Sequence, residues 1–182
     1  PVFVETVGLA AGDSKMAITS VSGGFPSSQT YLEVKMLETA MAIENGADEI
    51  DIVISIGEML EGEYDLAGNE IETLRAEIGD DAILKVILES GTLSEPELIH
   101  KAATIAMEAG ADFIKTSTGF GPAGATAKDV FIMKHEAGED VQVKAAGGIR
   151  TLDTALRMIE LGVSRIGSTA SVSIVEELKH RL

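Results

Sequence analysis

The sequence has 182 residues, 45% of them hydrophobic, which fits one domain with a sizeable core. Its formal charge of −16 argues against nucleic acid, whose phosphates need basic patches, but leaves room for a small anion held by local cations and helix N-termini. There is no cysteine, no apolar run long enough to span a membrane and no visible signal peptide; this excludes a disulfide framework and a thiolate zinc site and predicts a cytoplasmic protein with no membrane partner.

Phe3–Ala11 reads as a short helix ending near Gly12, and Lys15–Val21 as a strand. The loop Gly23–Ser28 leads into a helix that runs to about Asn45–Gly46. Glu49–Ser55 is a strand, a helix carrying Ile71, Leu74 and Ile78 follows, and Ile83–Glu89 is the next strand. A helix from about Glu95 to Ala109 precedes a buried strand, Phe113-Ile114-Lys115, which ends in a Ser/Thr/Gly loop reaching Gly119. Thr126, with Asp129 three residues on, starts a helix in the manner of a capping box. Val141–Ala146 is a strand followed by Gly147-Gly148-Ile149-Arg150. Thr151 caps a helix to Leu161–Gly162, Arg165–Thr169 is the last strand, and a final helix runs towards Leu182.

This strict alternation implies an α/β fold of parallel strands with helical crossovers. A faint repeat supports it. Gly46-Ala47-Asp48-Glu49-Ile50-Asp51 matches Gly110-Ala111-Asp112-Phe113-Ile114-Lys115, and Gly162–Gly167 matches both more loosely. Asp51, Lys115 and Gly167 fall at the same place in their units. No dinucleotide-binding glycine fingerprint follows any strand, so a TIM (β/α)8 barrel is favoured over an open doubly wound sheet. Six of its eight strands are represented. Residues 1–182 therefore read as a single barrel domain, N-terminally incomplete by about a strand, a helix and a strand.

Side chains alternate across a strand. Ile50, Ile52 and Ile54 suit packing under helices, which turns Glu49, Asp51 and Val53 to the interior. By the same rule Lys85, Ile87 and Glu89 point inward, as do Phe113, Lys115 and Ser117, and Gln142, Lys144 and Ala146. Four neighbouring strands thus bring Asp51, Lys85, Lys115 and Lys144 into one interior. One reading is a structural ion-pair network in which Asp51 and Glu89 neutralise Lys85. The other is a site. Two nearby lysines lower each other's proton affinity and leave one a free amine, whichever of the two it is. Asp51 could then move protons, directly or through a water. An amine with a carboxylate and no metal ligands points to Schiff-base chemistry on a carbonyl. His100, His135 and His180 fall on helices and read as surface residues. An anion site is expected near the end of the chain, where barrel phosphate loops follow the last two strands. Gly147 and Gly148 free backbone N–H groups there, Arg150 adds a cation, and Gly167-Ser168-Thr169 offers the partner loop.

These motifs resemble the deoxyribose-phosphate aldolase family of class I aldolases. The resemblance covers essentially the whole chain and is most specific at Gly46–Asp51, Leu84–Ser90, Ala109–Gly119 and Val143–Arg150. It implies reversible cleavage of 2-deoxy-D-ribose 5-phosphate to D-glyceraldehyde 3-phosphate and acetaldehyde, with no cofactor and no metal. By matching positions, Lys115 is the expected Schiff-base lysine, Lys144 the lysine that tunes it, and Asp51 the acid/base residue acting with a water. Gly119, Gly147, Gly148, Gly167, Ser168 and Thr169 are the expected phosphate-binding residues. The expected partners are a small sugar phosphate and an aldehyde, with a homo-oligomer as a further expectation. Two other readings stay open: another Schiff-base aldolase or transaldolase acting on a different sugar phosphate, or an inactive or truncated barrel that binds phosphate.

Overall fold

The computed structural model describes residues Pro1–Leu182 and contains one six-stranded sheet in the order β1-β2-β3-β4-β5-β6. The strands are β1 (Thr19–Val21), β2 (Glu49–Val53), β3 (Ile83–Ile87), β4 (Phe113–Lys115), β5 (Gln142–Ala146) and β6 (Arg165–Gly167). Each pairs in parallel with its chain neighbour. The helices are α1 (Val4–Ala11), α2 (Leu32–Glu44), α3 (Ile56–Glu61), α4 (Tyr64–Ile78), α5 (Ser90–Leu93), α6 (Pro96–Glu108), α7 (Ala127–Ala137), α8 (Leu152–Glu160) and α9 (Ser171–Arg181). No helix is long and apolar enough to cross a membrane.

The sheet is curled. In a flat sheet β2 and β6 would lie roughly 19 Å apart, four strand spacings. Instead Arg165 of β6 reaches Glu49 of β2 at 2.6 Å, and Lys144 of β5 reaches Asp51 of β2 at 3.1 Å. Short ionic contacts across non-adjacent strands require their inward faces to turn towards one another, as in a barrel wall.

Two faces with different chemistry follow from the strand alternation. Ile50, Ile52, Ile54, Leu84, Val86, Leu88, Ile114, Val143 and Ala145 pack outward against helical residues such as Ile71, Leu74, Ile99 and Met133 in one buried cluster. Each fully buried isoleucine or leucine there contributes about 1.5–3 kcal/mol. The other face carries the charges. Helix starts also follow the sequence. Thr126 Oγ1 accepts from Asp129 N at 3.1 Å and Thr151 Oγ1 from Thr154 N at 3.3 Å, satisfying N–H groups that helices leave unpaired. The Asp129 carboxylate does not complete a capping box; it accepts the Ser90 hydroxyl at 3.0 Å.

Three details differ from the sequence reading. β1 begins at Thr19 rather than Lys15, because its ladder to β2 starts only where Ile18 O takes the N–H groups of Asp48 and Glu49. Ile18 N is itself taken by the Asp48 carboxylate at 2.7 Å. α3 and α5 are short helices in the loops after β2 and β3 that the apolar periodicity did not indicate. Finally, β2 ends at Val53, β3 at Ile87 and β6 at Gly167, each two residues short of the end read in the sequence.

Candidate active site

Asp51, Lys85, Lys115 and Lys144 meet inside the curled sheet. Lys115 and Lys144 are direct neighbours in the β4–β5 register, as Asp51 and Lys85 are in the β2–β3 register. Asp51 Oδ2 accepts from Lys115 Nζ at 2.7 Å and from Lys144 Nζ at 3.1 Å, while Oδ1 accepts from Lys85 Nζ at 3.0 Å. Beneath them Glu49 takes Lys85 at 2.6 Å, Arg165 at 2.6 Å and the Thr19 hydroxyl at 2.5 Å. The Arg165 guanidinium lies over the Phe113 ring, 4.9 Å from its centroid. Glu49 was read as interior, but its partner Arg165 was not foreseen, since only the curvature of the sheet brings β6 to β2.

The charges do not balance. Four cations, Lys85, Lys115, Lys144 and Arg165, share two carboxylates, Glu49 and Asp51. Burial alone would raise the Asp51 carboxyl. The Lys115, Lys144 and Lys85 ammoniums more than offset it and hold the group at about 2. Burial likewise opposes ionisation of Glu49, yet the hydrogen bonds from Arg165, Lys85 and Thr19 bring it down to about 2. Both stay anionic at neutral pH. The surplus bears on Lys144. Burial, then the Lys115 ammonium, push Lys144 below the ordinary lysine value, against the pull of Asp51. The site is short of negative charge, which favours loss of a proton from Lys144.

The Lys85 pairing differs from that read in the sequence: it is Glu49, not Glu89, that joins Asp51 in neutralising it. Glu89 lies beyond the end of β3 with φ at 52°, so strand alternation no longer sets its direction. Its carboxylate bonds to Thr118.

Lys115 and Lys144 open onto a cavity of about 570 Å³. Gly119, Gly147, Gly148, Gly167, Ser168 and Thr169 line the same cavity, with Arg150, Thr118 and the Gly121–Gly124 loop. The loops after β4, β5 and β6 are tied together. Ala125 N donates to the carbonyls of Ala146 and Gly147, and Ser168 Oγ donates to Ile149 O at 2.6 Å. The Ser168 hydroxyl proton is therefore committed. The N–H groups of Gly119, Gly148, Ser168 and Thr169 donate to no protein acceptor. Free N–H groups around a concave surface, beside Arg150 and just ahead of the first turn of α9, have the geometry that suits an anion. The Gly121–Gly124 part of this lining escaped the sequence reading; its glycine spacing was the available signal.

A hollow of about 470 Å³ at the opposite strand ends, lined by Asp48, Arg75 and Asp112 among others, has no such set of groups. There Arg75 is already bonded to Asp112 at 2.8 Å. All three histidines are exposed on helices, His100 paired to Glu136 at 2.8 Å.

Comparison with known proteins agrees with this geometry. Residues 7–168 match the family described as DeoC/LacD family aldolase. A deoxyribose-phosphate aldolase of Clostridium tetani is 48% identical over 161 residues, covering 88% of this chain and 74% of that protein. One from Thermococcus gammatolerans is 51% identical over 154 residues, covering 84% and 68%. Among solved structures, one described as QR15, an aldolase, superposes with a TM-score of 0.93 at 41% identity over 100% of this chain and 80% of that one. The tetrameric deoxyribose phosphate aldolase of Aeropyrum pernix superposes at 0.88 and 30% identity, over 100% and 76%. The curled sheet is thus six strands of the TIM-barrel fold that these aldolases share.

Proposed function

This chain belongs to the DeoC/LacD aldolase family, and from that premise we propose that it cleaves 2-deoxy-D-ribose 5-phosphate reversibly, through a lysine Schiff base, in the cytoplasm. The observation that carries the reading is the shared acceptor: one oxygen of a fixed carboxylate holds both Lys115 and Lys144 beside a cavity rich in free N–H groups.

In this reading Lys115 supplies the nucleophile. Its neutral Nζ attacks the substrate aldehyde carbon, and the carbinolamine loses water to give an iminium. A proton leaves the C3 hydroxyl, the C2–C3 bond breaks, and its electron pair flows into the iminium. D-glyceraldehyde 3-phosphate departs. The remaining enamine takes a proton at carbon, and hydrolysis of the new iminium returns acetaldehyde and the free amine. Lys144, on the same Asp51 oxygen, is the tuning residue: its positive charge beside Lys115 makes the Lys115 proton easier to shed. Asp51, anionic throughout, orients both lysines and the water that carries protons to and from the sugar. The phosphate sits among Gly119, Gly147, Gly148, Gly167, Ser168 and Thr169, with backbone donors rather than the Ser168 hydroxyl facing it. Association of copies is part of the proposal. An apolar stripe on α2 and the residue before it, Tyr31, Val34, Leu37 and Met41, is exposed to solvent, and a sedimentation mass of one chain would remove this element.

Borohydride trapping in the presence of acetaldehyde, followed by peptide mass mapping, tests the mechanism. A reduced ethyl adduct on Lys115 is expected. An adduct on Lys144 would keep the Schiff base and exchange the two lysines; no adduct on folded protein would overturn the mechanism.

A further inference from the structure

Just past β3, Glu89 takes up left-handed backbone, with φ 52° and ψ 53°, where a residue bearing a Cβ is disfavoured. It is 2% exposed. A buried carboxylate normally takes a cation, and the interior nearby has cations in excess. Yet the side-chain hydrogen bonds of Glu89 all involve Thr118. Both carboxylate oxygens lie 3.3 Å from Thr118 N, and Oε2 accepts the Thr118 hydroxyl. Thr118 Oγ1 in turn accepts from Phe120 N at 3.0 Å. Phe120 meets Phe25, from the loop after β1, edge to face with ring centroids 5.7 Å apart. A Cβ on Gly121 would lie 2.9 Å from the Glu89 carboxyl group, so the loop backbone is closed down on it. Thr118, Gly119 and Gly121 all line the cavity, and the Gly119 N–H is one of its free donors.

We propose that Glu89 is the positioning residue of the phosphate end: its carboxylate fixes the loop after β4 in the shape that turns the Gly119 N–H to the anion. The inference rests on the aldolase reading above. The Glu89 carboxylate itself stays outside the cavity lining. Here Thr118 occupies the carboxylate oxygens, and the loop presents donors to the cavity. The left-handed turn is the backbone cost of aiming the side chain at Thr118, and it explains why a residue with a side chain stands where glycine would be easier.

The test compares 2-deoxyribose 5-phosphate with unphosphorylated 2-deoxyribose, and adds inhibition by inorganic phosphate, in the wild-type protein, Glu89→Gln and Thr118→Val. Glutamine replaces one acceptor oxygen by an N–H₂ that faces Thr118's own donors; valine keeps the shape of threonine and removes the hydroxyl. For Glu89→Gln the loss in kcat/KM on the phosphorylated sugar should exceed the loss on the unphosphorylated one by about tenfold, carried by KM, with a parallel rise in the inhibition constant for phosphate. Equal loss on both sugars, or a fall in kcat alone, overturns the inference and makes Glu89 a residue of the fold or of the chemistry. Should Glu89→Gln fail to fold, Thr118→Val decides by the same ratio, and an unchanged ratio there overturns the inference. A wild-type protein indifferent to the phosphate group overturns the aldolase reading together with this one, which separates the two failures.

Discussion

Lys115 and Lys144, neighbours in register across β4 and β5, donate to the same oxygen of Asp51. Two cations on one acceptor are held closer than two ammoniums would choose to sit, and the repulsion lowers the cost of removing a proton from the pair. Lys115→Leu removes the proposed nucleophile and relieves the crowding at once. Turnover should fall by at least about a thousandfold, while the unfolding midpoint stays level or rises, because the site gives up a surplus charge. A Lys115→Leu protein that keeps wild-type rates would end the assignment of this lysine.

Lys144→Leu tests the other half of the pair. With its cationic neighbour gone, the remaining lysine keeps its proton to higher pH. The acidic limb of the kcat/KM profile, which reports formation of the free amine, should therefore move to more alkaline pH. A lower rate with an unmoved limb would mean that Lys144 helps in some way other than through charge.

Lys85 should prove structural. It is completely buried, and it bridges Glu49 Oε2 at 2.6 Å and Asp51 Oδ1 at 3.0 Å. Lys85→Met leaves Glu49 with Arg165 and Thr19, and Asp51 with its two upper lysines. The loss should fall near the low end for breaking a buried ion pair, about 3 kcal/mol in urea unfolding. Borohydride trapping at Lys115 should survive. Loss of trapping in a variant of unchanged stability would move Lys85 into the chemistry.

The parts of this site that were legible in the sequence are those set by the two-residue period of a strand. Asp51, Lys115 and Lys144 sit well inside β2, β4 and β5 or at their ends, where alternation still decides which way a side chain faces. Thr126 and Thr151 were legible as caps because capping is local. Glu89 was misjudged because one left-handed residue ends the alternation, and nothing local in Leu88-Glu89-Ser90 announces it. The Glu49–Arg165 pair spans 116 residues of sequence, and it exists only because the sheet curls, a property of the assembled fold rather than of either strand. The short helices α3 and α5 carry too few turns for an apolar stripe to declare itself.

Acid should unfold the protein in a defined window. Asp51 and Glu49 are both held at about 2 in the fold, against ordinary values of 3.8 and 4.5. A carboxyl whose folded value is depressed stabilises the fold fully above its unfolded value, and that contribution is lost as pH falls through the folded value. Each group should contribute about 2–3 kcal/mol at neutral pH and lose it between roughly pH 4.5 and 2. Urea midpoints taken down this range should fall steeply, and Asp51→Asn should flatten the slope. Equal slopes in the two proteins would show that other carboxylates govern acid unfolding.

Two glycines of the cavity lining, Gly124 and Gly148, separate packing from binding. A Cβ on Gly124 would lie 2.3 Å from the Gly147 carbonyl oxygen and 2.5 Å from its carbon, backbone atoms held by the Ala125 N–H. Gly124→Ala must therefore push apart the loops after β4 and β5. It should lower the melting temperature and also raise KM for the phosphorylated sugar by about tenfold or more. Gly148 differs: its φ is 75°, but a Cβ there meets nothing within 4 Å. Gly148→Ala bears only the cost of a left-handed residue, about 1–2 kcal/mol, while its methyl group enters the space assigned to the phosphate. The expected pattern is a modest loss of stability with a clear rise in KM for 2-deoxyribose 5-phosphate and little change for unphosphorylated 2-deoxyribose. If Gly148→Ala affects both sugars alike, the phosphate does not lie against this turn, and the free N–H groups of Ser168 and Thr169 would have to hold it from the other side of the cavity.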